Sequence, residues 1–227
     1  TLERVDLDRG RHYIDSTGIP VPSVTTILSG TSSKKGIEEW KKRVGEKEAE
    51  RVVKESTDIG SAVHEAIEEY LNGNEWDNFS EKRTDLIARS ITNKFVTDGL
   101  NSIDEAWGLE VGLILDGLYA GTADCVGLVK GVPSIIDFKT AKRIKRREWI
   151  EDYFLQCAAY ANAHNVIYNT NIKQIVILMV DRNQEFKKYI VNDREFDHYT
   201  NKWKQRLIKF HNLSLIHISE PTRQAEI

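Results

Sequence analysis

The sequence predicts an α/β fold: a central mixed β-sheet flanked by helices, with a helical N-terminal region. Three observations carry that prediction. Residues 110–129 alternate apolar with small or polar residues, and after a turn comes the short apolar run Val132-Pro133-Ser134-Ile135-Ile136. That pattern reads as strand, turn, strand. A second strand pair, 173–180 and 185–191, folds about Asp181-Arg182-Asn183-Gln184, and a long helical segment, 147–167, separates the two pairs. A strand, a helix and a strand in that order place a crossover in the sheet.

The remaining elements follow from the same patterns. Residues 1–33 mix short extended pieces with turns at Ser16-Thr17-Gly18 and Pro20-Val21-Pro22. A highly charged helix bearing Trp40 and Val44 is expected over 37–56, and a separate helix over 58–71. Asn72-Gly73-Asn74 ends the latter, and Ser80 is placed as the N-cap of a helix over 81–98. Strands near 104–116, 118–129 and 133–138 precede the helix over 147–167, which turns Phe154, Ala158, Ala159 and Ala161 inward. A final helix covers about 193–210. No internal repeat or low-complexity linker divides the chain, so residues 1–212 read as one domain. Within it, 1–56 forms an N-terminal region suited to wrapping a ligand strand, and 57–212 forms the core.

Composition narrows the classes of function. Charged residues make up 30% and hydrophobic residues 40% of the chain, the balance of an ordinary globular domain. No apolar run has the length of a membrane span, and no signal-peptide pattern is present, so membrane partners are not expected. The net charge is −3, so the protein is not coated with basic residues. Its basic charge is local: Lys139, Lys142, Arg143, Lys145, Arg146 and Arg147 crowd into nine residues. A charge run is most often a solvated face; beside a phosphate-processing site it suits the tracking of a nucleic-acid backbone. Cys125 and Cys157 are the two cysteines. They cannot supply the four thiolates of an iron–sulfur cluster, and they fit a reducing, cytoplasmic setting. No paired Cys/His spacing favours zinc.

The chemistry concentrates between residues 121 and 139. Gly121-Thr122-Ala123-Asp124 ends in one carboxylate, and Asp137-Phe138-Lys139 closes the following strand. The pleat sends Asp137 and Lys139 to one face and Phe138 to the other. Two carboxylates on neighbouring strands, with an ammonium beside one of them, suit a Mg²⁺ or Mn²⁺ site, because hard ions prefer carboxylate oxygens. A surface ion pair is the plainer reading of Asp-x-Lys alone. Two further signals accompany it. His64 and Glu68 share one face of the helix that contains Gly60-Ser61-Ala62-Val63-His64, and Gln156 and Tyr160 stand one turn apart on the helix after the sheet.

In this order, Gly-Ser-x-x-His, Gly-x-x-Asp, Asp-x-Lys-Thr and Gln-x-x-x-Tyr resemble the motifs of the RecB-like branch of the PD-(D/E)xK nuclease superfamily. Within that branch the resemblance is to the mitochondrial genome maintenance exonucleases and related phage exonucleases. Pro22-Ser23-Val24-Thr25-Thr26-Ile27-Leu28, followed by Gly36-Ile37-Glu38-Glu39-Trp40, is similar to their N-terminal region. The similarity spans about 13–210, and four ordered motifs make it far more specific than any one alone.

The resemblance implies a restriction-endonuclease-like core and a metal-dependent deoxyribonuclease. It implies catalytic roles for Asp124, Asp137, Lys139, His64, Gln156 and Tyr160. Metal ligands would be His64, Asp124, Asp137 and the backbone carbonyl of Phe138, with Glu68 reaching the ion through water. Lys139 would orient and deprotonate the attacking water, and Gln156 and Tyr160 would orient Lys139 or grip the DNA backbone. Glu110 stands where relatives often carry an acid. Lys142, Arg143, Lys145, Arg146 and Arg147 would contact DNA. The expected partner is single-stranded or flap DNA, acted on by a monomeric exonuclease in phage replication or recombination. Two alternatives stay open: a toroidal double-strand-specific recombination exonuclease, and an inactive DNA-binding module.

Residues 213–227 are set apart from this reading. Leu213-Ser214-Leu215-Ile216-His217-Ile218-Ser219-Glu220-Pro221-Thr222-Arg223 matches the translation of a transposase-based sequencing adapter, with Gln224-Ala225-Glu226 as an index. The segment is therefore expected to be library read-through from a metagenomic gene, with the natural C-terminus lost. The chain begins at Thr1, and Met179 is its one methionine, so the natural N-terminus is also expected to lie elsewhere.

Overall fold

A computed structural model describes the backbone of residues 2–219 and the side chains of residues 2–212. A three-stranded antiparallel sheet opens the chain, with β1 at Arg4–Leu7, β2 at Gly10–Ile14 and β3 at Pro20–Pro22. Then come helices α1 (Val24–Thr31), α2 (Lys35–Val44), α3 (Glu46–Leu71) and α4 (Arg83–Lys94). The main sheet has the order β4-β5-β6-β7-β8, formed by Glu105–Leu115, Tyr119–Val129, Val132–Ala141, Gln174–Asp181 and Phe186–Val191. Helix α5 (Glu151–Tyr168) joins the parallel pair β6 and β7, and all other neighbours in the sheet are antiparallel. Helix α6 (Asp193–Ser219) closes the described chain. The expected α/β architecture with a mixed central sheet is therefore present.

The sheet separates two cores. Strand β7 is buried along its whole length, as a central strand covered on both faces must be. Its Ile175, Ile177 and Met179 pack toward α1, α5 and α6, in a core that contains Phe154, Ala158 and Trp203. Val176, Leu178 and Val180 point the other way, toward Ile59, Val63 and Ile67 of α3 and Ile91 of α4. The period of two along one strand thus builds both layers. Helix α5 carries the run Cys157-Ala158-Ala159-Tyr160-Ala161, all buried, and its alanines allow it to lie close on the sheet.

Several element boundaries differ from the sequence expectation. The charged helix and the His64 helix do not divide near Thr57. The break falls at Gly45, whose φ of 88° is open to glycine at little steric cost, and α3 then runs unbroken for 26 residues. Ser80 does not cap α4. It hydrogen-bonds to the Asp85 side chain, and the helix starts at Arg83 and ends in a π-turn over Phe95–Gly99. Residues 24–31, expected as extended chain and turns, form α1 with Ser23 as N-cap: its side chain accepts from the Thr26 amide. Val24, Ile27 and Leu28 of α1 belong to the main core. The N-terminal region therefore splits. Residues 21–31 are largely built into the body, whereas α2 has no buried residue, and Ala49 is the one buried residue in the first half of α3. The backbone of α6 continues beyond the expected stop near Phe210 into the adapter-like segment, whose residues 220–227 lie outside the described residues. No helix among the described residues is long and apolar enough to cross a membrane.

Candidate active site

Strands β5 and β6 pair from Val129–Val132 down to Cys125–Ile136, where the backbone ladder stops. Asp124 takes over at that point: its Oδ2 accepts a hydrogen bond from the Phe138 amide at 2.9 Å. The strands splay, and a cleft of about 580 Å³ opens beside them. Among the residues lining it are His64, Glu65 and Glu68 from α3, Glu110 from β4, Thr122 and Asp124 from β5, and Gln156 and Tyr160 from α5. Sequence motifs separated by up to about a hundred residues thus meet at one sheet defect.

The donors sort by chemistry. His64 Nε2 lies 2.8 Å from the Phe138 carbonyl oxygen, which can only accept, so Nε2 carries the hydrogen. In the neutral ring Nδ1 then keeps a free lone pair, and that atom faces Asp124 Oδ1 at 3.6 Å. Glu110 lies between the Leu109–Cys125 and Val111–Ala123 pairs of β4 and β5, and has a left-handed φ of 46°. A β-strand residue held there is strained by roughly 1–3 kcal/mol, a cost that clusters at functional sites. Ligand atoms of His64, Glu110 and Asp124 all lie within 4.8 Å of one another.

Asp137 is buried, and its Oδ2 sits 2.9 Å from the Lys139 ammonium, although no donor hydrogen-bonds to that oxygen in line. The expected same-face placement of Asp137 and Lys139 is therefore realised. Lys139 Nζ also donates to Gln156 Oε1 at 3.1 Å, and Gln156 Nε2 donates to the Tyr160 hydroxyl at 3.0 Å. The ring of Tyr153 lies 4.7 Å from the ammonium. Gly121 makes room for this chain of contacts: a Cβ there would come 2.6 Å from Tyr160 Cε1.

The electrostatics follow from burial and crowding. Asp124 has its carboxyl pushed well above the usual range, first by burial and then by the Asp137 charge, against the opposing pull of His64, Lys139 and the Phe138 amide. Glu110 shifts in the same direction, chiefly through desolvation, with Glu68 and Asp137 adding to it. For Lys139, burial works against the charge, but Asp137 and Asp124 outweigh it and the net movement is upward. The ammonium therefore holds its proton. Three carboxylates stand against one ammonium here, an excess of negative charge that a divalent cation would balance. The donor set is all oxygen apart from one imidazole, which fits a hard ion. Asp137 stands apart from that donor group, its Oδ2 against the Lys139 ammonium.

The remaining sequence candidates are placed as follows. Glu68 lines the cleft outside the tight donor group. The Phe138 carbonyl, expected as a metal ligand, is engaged by His64. In the basic run, Lys142, Arg143 and Arg146 are exposed. Lys145 donates to the Tyr153 hydroxyl at 2.9 Å, and Arg147 pairs with Glu195 at 2.7 Å and packs over Phe154. The latter two brace the loop. Sequence reasoning did not find the opposite wall of the cleft, made by Arg11, Ser23 and Thr25. Ser23 and Thr25 stand in the Pro22–Leu28 stretch that resembles the exonucleases' N-terminal region but were given no part in the site; what brings them there is a bridge between Ser23 and Ala120, nearly a hundred residues apart.

No protein-family model matches the chain. Mitochondrial genome maintenance exonuclease 1 of Homo sapiens is 26% identical over 204 residues, covering 84% of this chain and 58% of that protein. The Xenopus tropicalis protein of the same name is 26% identical over 223 residues, covering 91% and 61%. The chain thus spans about three fifths of the length of these relatives. Among solved structures, a protein from Eubacterium rectale has a TM-score of 0.45 at 15% identity, with 74% of this chain and 77% of that one covered. A phage related exonuclease from Haemophilus somnus 129PT has a TM-score of 0.38 at 17% identity, with 70% and 83% covered. At such scores the structural matches add nothing to the functional argument. The chain is thus homologous to mitochondrial genome maintenance exonuclease 1, and its fold and ordered motifs are consistent with a PD-(D/E)xK-like nuclease.

Proposed function

We propose that the protein is a Mg²⁺- or Mn²⁺-dependent DNA exonuclease, and that Asp124, Asp137, Glu110, His64 and Lys139 form its hydrolytic site. The observation that carries this reading is the convergence of His64, Glu110 and Asp124 within 4.8 Å, beside a Lys139–Asp137 contact of 2.9 Å. Asp124, Glu110 and His64 would hold the ion, and Asp137, which lies outside that tight group and against Lys139, would join them in the metal-bound enzyme. Glu68 would act through a bridging water. The ion, when bound, supplies Lewis-acid polarisation of the phosphate and lowers the pKa of a coordinated water.

The chain's own groups perform the rest. Lys139 is held as a cation between Asp137 and Gln156, so it suits donating a hydrogen bond to the attacking water or to a phosphate oxygen. It does not suit removing a proton, a role that its stabilised charge disfavours. Water attacks phosphorus and gives up its proton to solvent, negative charge grows on the non-bridging oxygens, and the bond to the sugar oxygen breaks as that oxygen takes a proton from solvent. A fixed ammonium there is worth most in the transition state. Tyr160 and Gln156 act as positioning residues, because they fix the direction in which Lys139 points.

The proposed substrate is single-stranded or flap DNA, in a phage replication or recombination setting. Two features support it. The exposed hairpin of α2 and the first half of α3 leads directly into the His64 face, as an arm over the cleft would. Exposed Lys142, Arg143 and Arg146 follow the Asp137–Lys139 strand. An arm admits a flexible strand through a free end more readily than it admits a stiff duplex. The test is a timed digest of end-labelled linear single-stranded, blunt, flapped and closed circular DNA with Mg²⁺. Linear single strands and flaps should be degraded fastest, and circular single strands should resist. Rapid cutting of the circle would replace this reading with an endonuclease.

A further inference from the structure

Trp149 is 67% exposed, more than Tyr168 at 53% or Trp107 at 46%. Exposure of so large an apolar surface calls for a reason. The residue is not on a loose segment. A 3₁₀ turn over Arg147–Trp149 fixes it, with the Trp149 amide donating to the Arg146 carbonyl at 3.0 Å. The next residue, Ile150, is 1% exposed in the main core, and its carbonyl accepts from Tyr153 in the first turn of α5. The chain thus passes from its most exposed aromatic to a core anchor in one step.

The surroundings of Trp149 are cationic. The Arg146 guanidinium carbon lies 5.4 Å from the centre of the indole ring, and Arg143 and Lys142 are exposed earlier in the same loop. Glu148 is 3.9 Å from Arg146, but both are exposed, and such a pair is weak in water. The loop is tied to the candidate site through Tyr153, whose ring contacts Lys139 at 4.7 Å and Lys145 at 5.1 Å. It is also tied to the sheet, because the Ile144 amide donates to Asp181 at 3.0 Å. A rigid, exposed indole with a stacked guanidinium, on a basic loop one turn from a residue that touches Lys139, has the form of a base-stacking surface.

We infer that Trp149, with Arg146 behind it, stacks on one unpaired base of the DNA strand held by the basic loop, a site that selects single strands over duplex. The inference rests on the nuclease reading above and deepens it: phosphate contacts from Lys142 and Arg143 are blind to strandedness, whereas a paired base has no free face to offer.

The test is equilibrium binding of labelled linear single-stranded and blunt duplex DNA of equal length, with Ca²⁺ in place of Mg²⁺. The wild type, Trp149→Ala and Trp149→Phe are compared. Stacking of one base predicts that Trp149→Ala weakens single-strand binding about ten-fold. Duplex binding and melting temperature should be unchanged, and Trp149→Phe should retain most of the affinity. Equal single-strand affinity for Trp149→Ala and wild type would overturn the inference, as would an equal loss on both DNAs. A wild-type protein that neither binds nor cleaves DNA would overturn the nuclease reading itself, a different result from either.

Discussion

A buried carboxylate and a partly buried one show how differently one chain treats the same group. Asp15, in the turn after β2, accepts from the Thr17 hydroxyl at 2.7 Å, from the Thr17 and Ile19 amides at 2.9 Å each, and from the Gly117 amide at 2.9 Å. These donors lower its pKa to about 2, the Thr17 hydroxyl contributing most. Asp124 has one backbone donor, the Phe138 amide; it shares its cleft with His64 and Glu110, and the Asp137 charge acts on it from nearby. Burial and the Asp137 charge push its carboxyl upward. Asp15 is satisfied by the fold, and its charge stitches the β2–β3 turn to the β4–β5 turn. Asp124 is left short of positive charge, as the proposed metal ligation requires.

The largest expected effect separates the two regions by function. Asp137→Asn should weaken Mg²⁺ binding as well as slow cleavage, and Lys139→Ala should lower the cleavage rate by about 10²–10³-fold while DNA binding is retained. Asp15→Asn should leave the rate constant of folded protein near wild type. Single-turnover kinetics with Mg²⁺, together with binding in Ca²⁺, measure both. A wild-type rate in Lys139→Ala would remove that residue from the site.

The second effect is on stability, and its sign differs between the two acids. The folded pKa of Asp15 lies below the unfolded carboxylate value, so its contribution is fully present above roughly pH 4 and is lost as pH falls toward about 2. Asp15→Asn should therefore lower Tm at neutral pH, with the difference shrinking in acid. The folded pKa of Asp124 is raised instead. The unfolded chain then gives up its proton first, and the metal-free protein loses stability as pH rises from the unfolded pKa toward the folded one. Asp124→Asn should raise Tm in EDTA at neutral pH while abolishing cleavage. Thermal melts across pH in EDTA check both signs; a lower Tm for Asp124→Asn would contradict the account of that site.

These two carboxylates also show what was legible in the sequence. Asp124, Asp137, Lys139, His64, Gln156 and Tyr160 could be found because each sits in a short motif on a strand or helix with a readable period. The alternation of residues 110–129 and the apolar run at Val132 gave the sheet for the same reason. At Asp15 the local turn donors Thr17 and Ile19 are close in sequence, but the fourth donor, Gly117, is about a hundred residues away and no local pattern links it. The place of Arg11, Ser23 and Thr25 in the cleft wall was not legible either, although Ser23 and Thr25 stand in a stretch that resembles the exonucleases. The unbroken α3 was missed because the Ser56-Thr57-Asp58 composition mimics a helix start, whereas the real break depends on the backbone angle of Gly45. Ser80 looked like a cap by type, but its hydroxyl is spent on Asp85.

A smaller effect is expected at Gly121. Its Ala variant would press on Tyr160 and misdirect Lys139 through Gln156. kcat should fall with KM nearly unchanged, and the Asp15 turn should be unaffected. An unchanged kcat would show that Tyr160 has room to yield. The smallest effect is expected from ending the chain at Asn212, which keeps Phe210 and its contact with Gly30. Activity and Tm should both stay at the wild-type level, and a large loss of either would give residues 213–227 a role in the domain.

The most direct test of the central claim is the rate of cleavage of one end-labelled linear single strand by wild type and by Lys139→Ala, each with Mg²⁺ and with EDTA. A site built from Asp124, Glu110, His64, Asp137 and Lys139 predicts rapid degradation by wild type with Mg²⁺, none in EDTA, and little by Lys139→Ala in either. Wild-type degradation that persists in EDTA, or full activity in Lys139→Ala, would contradict it.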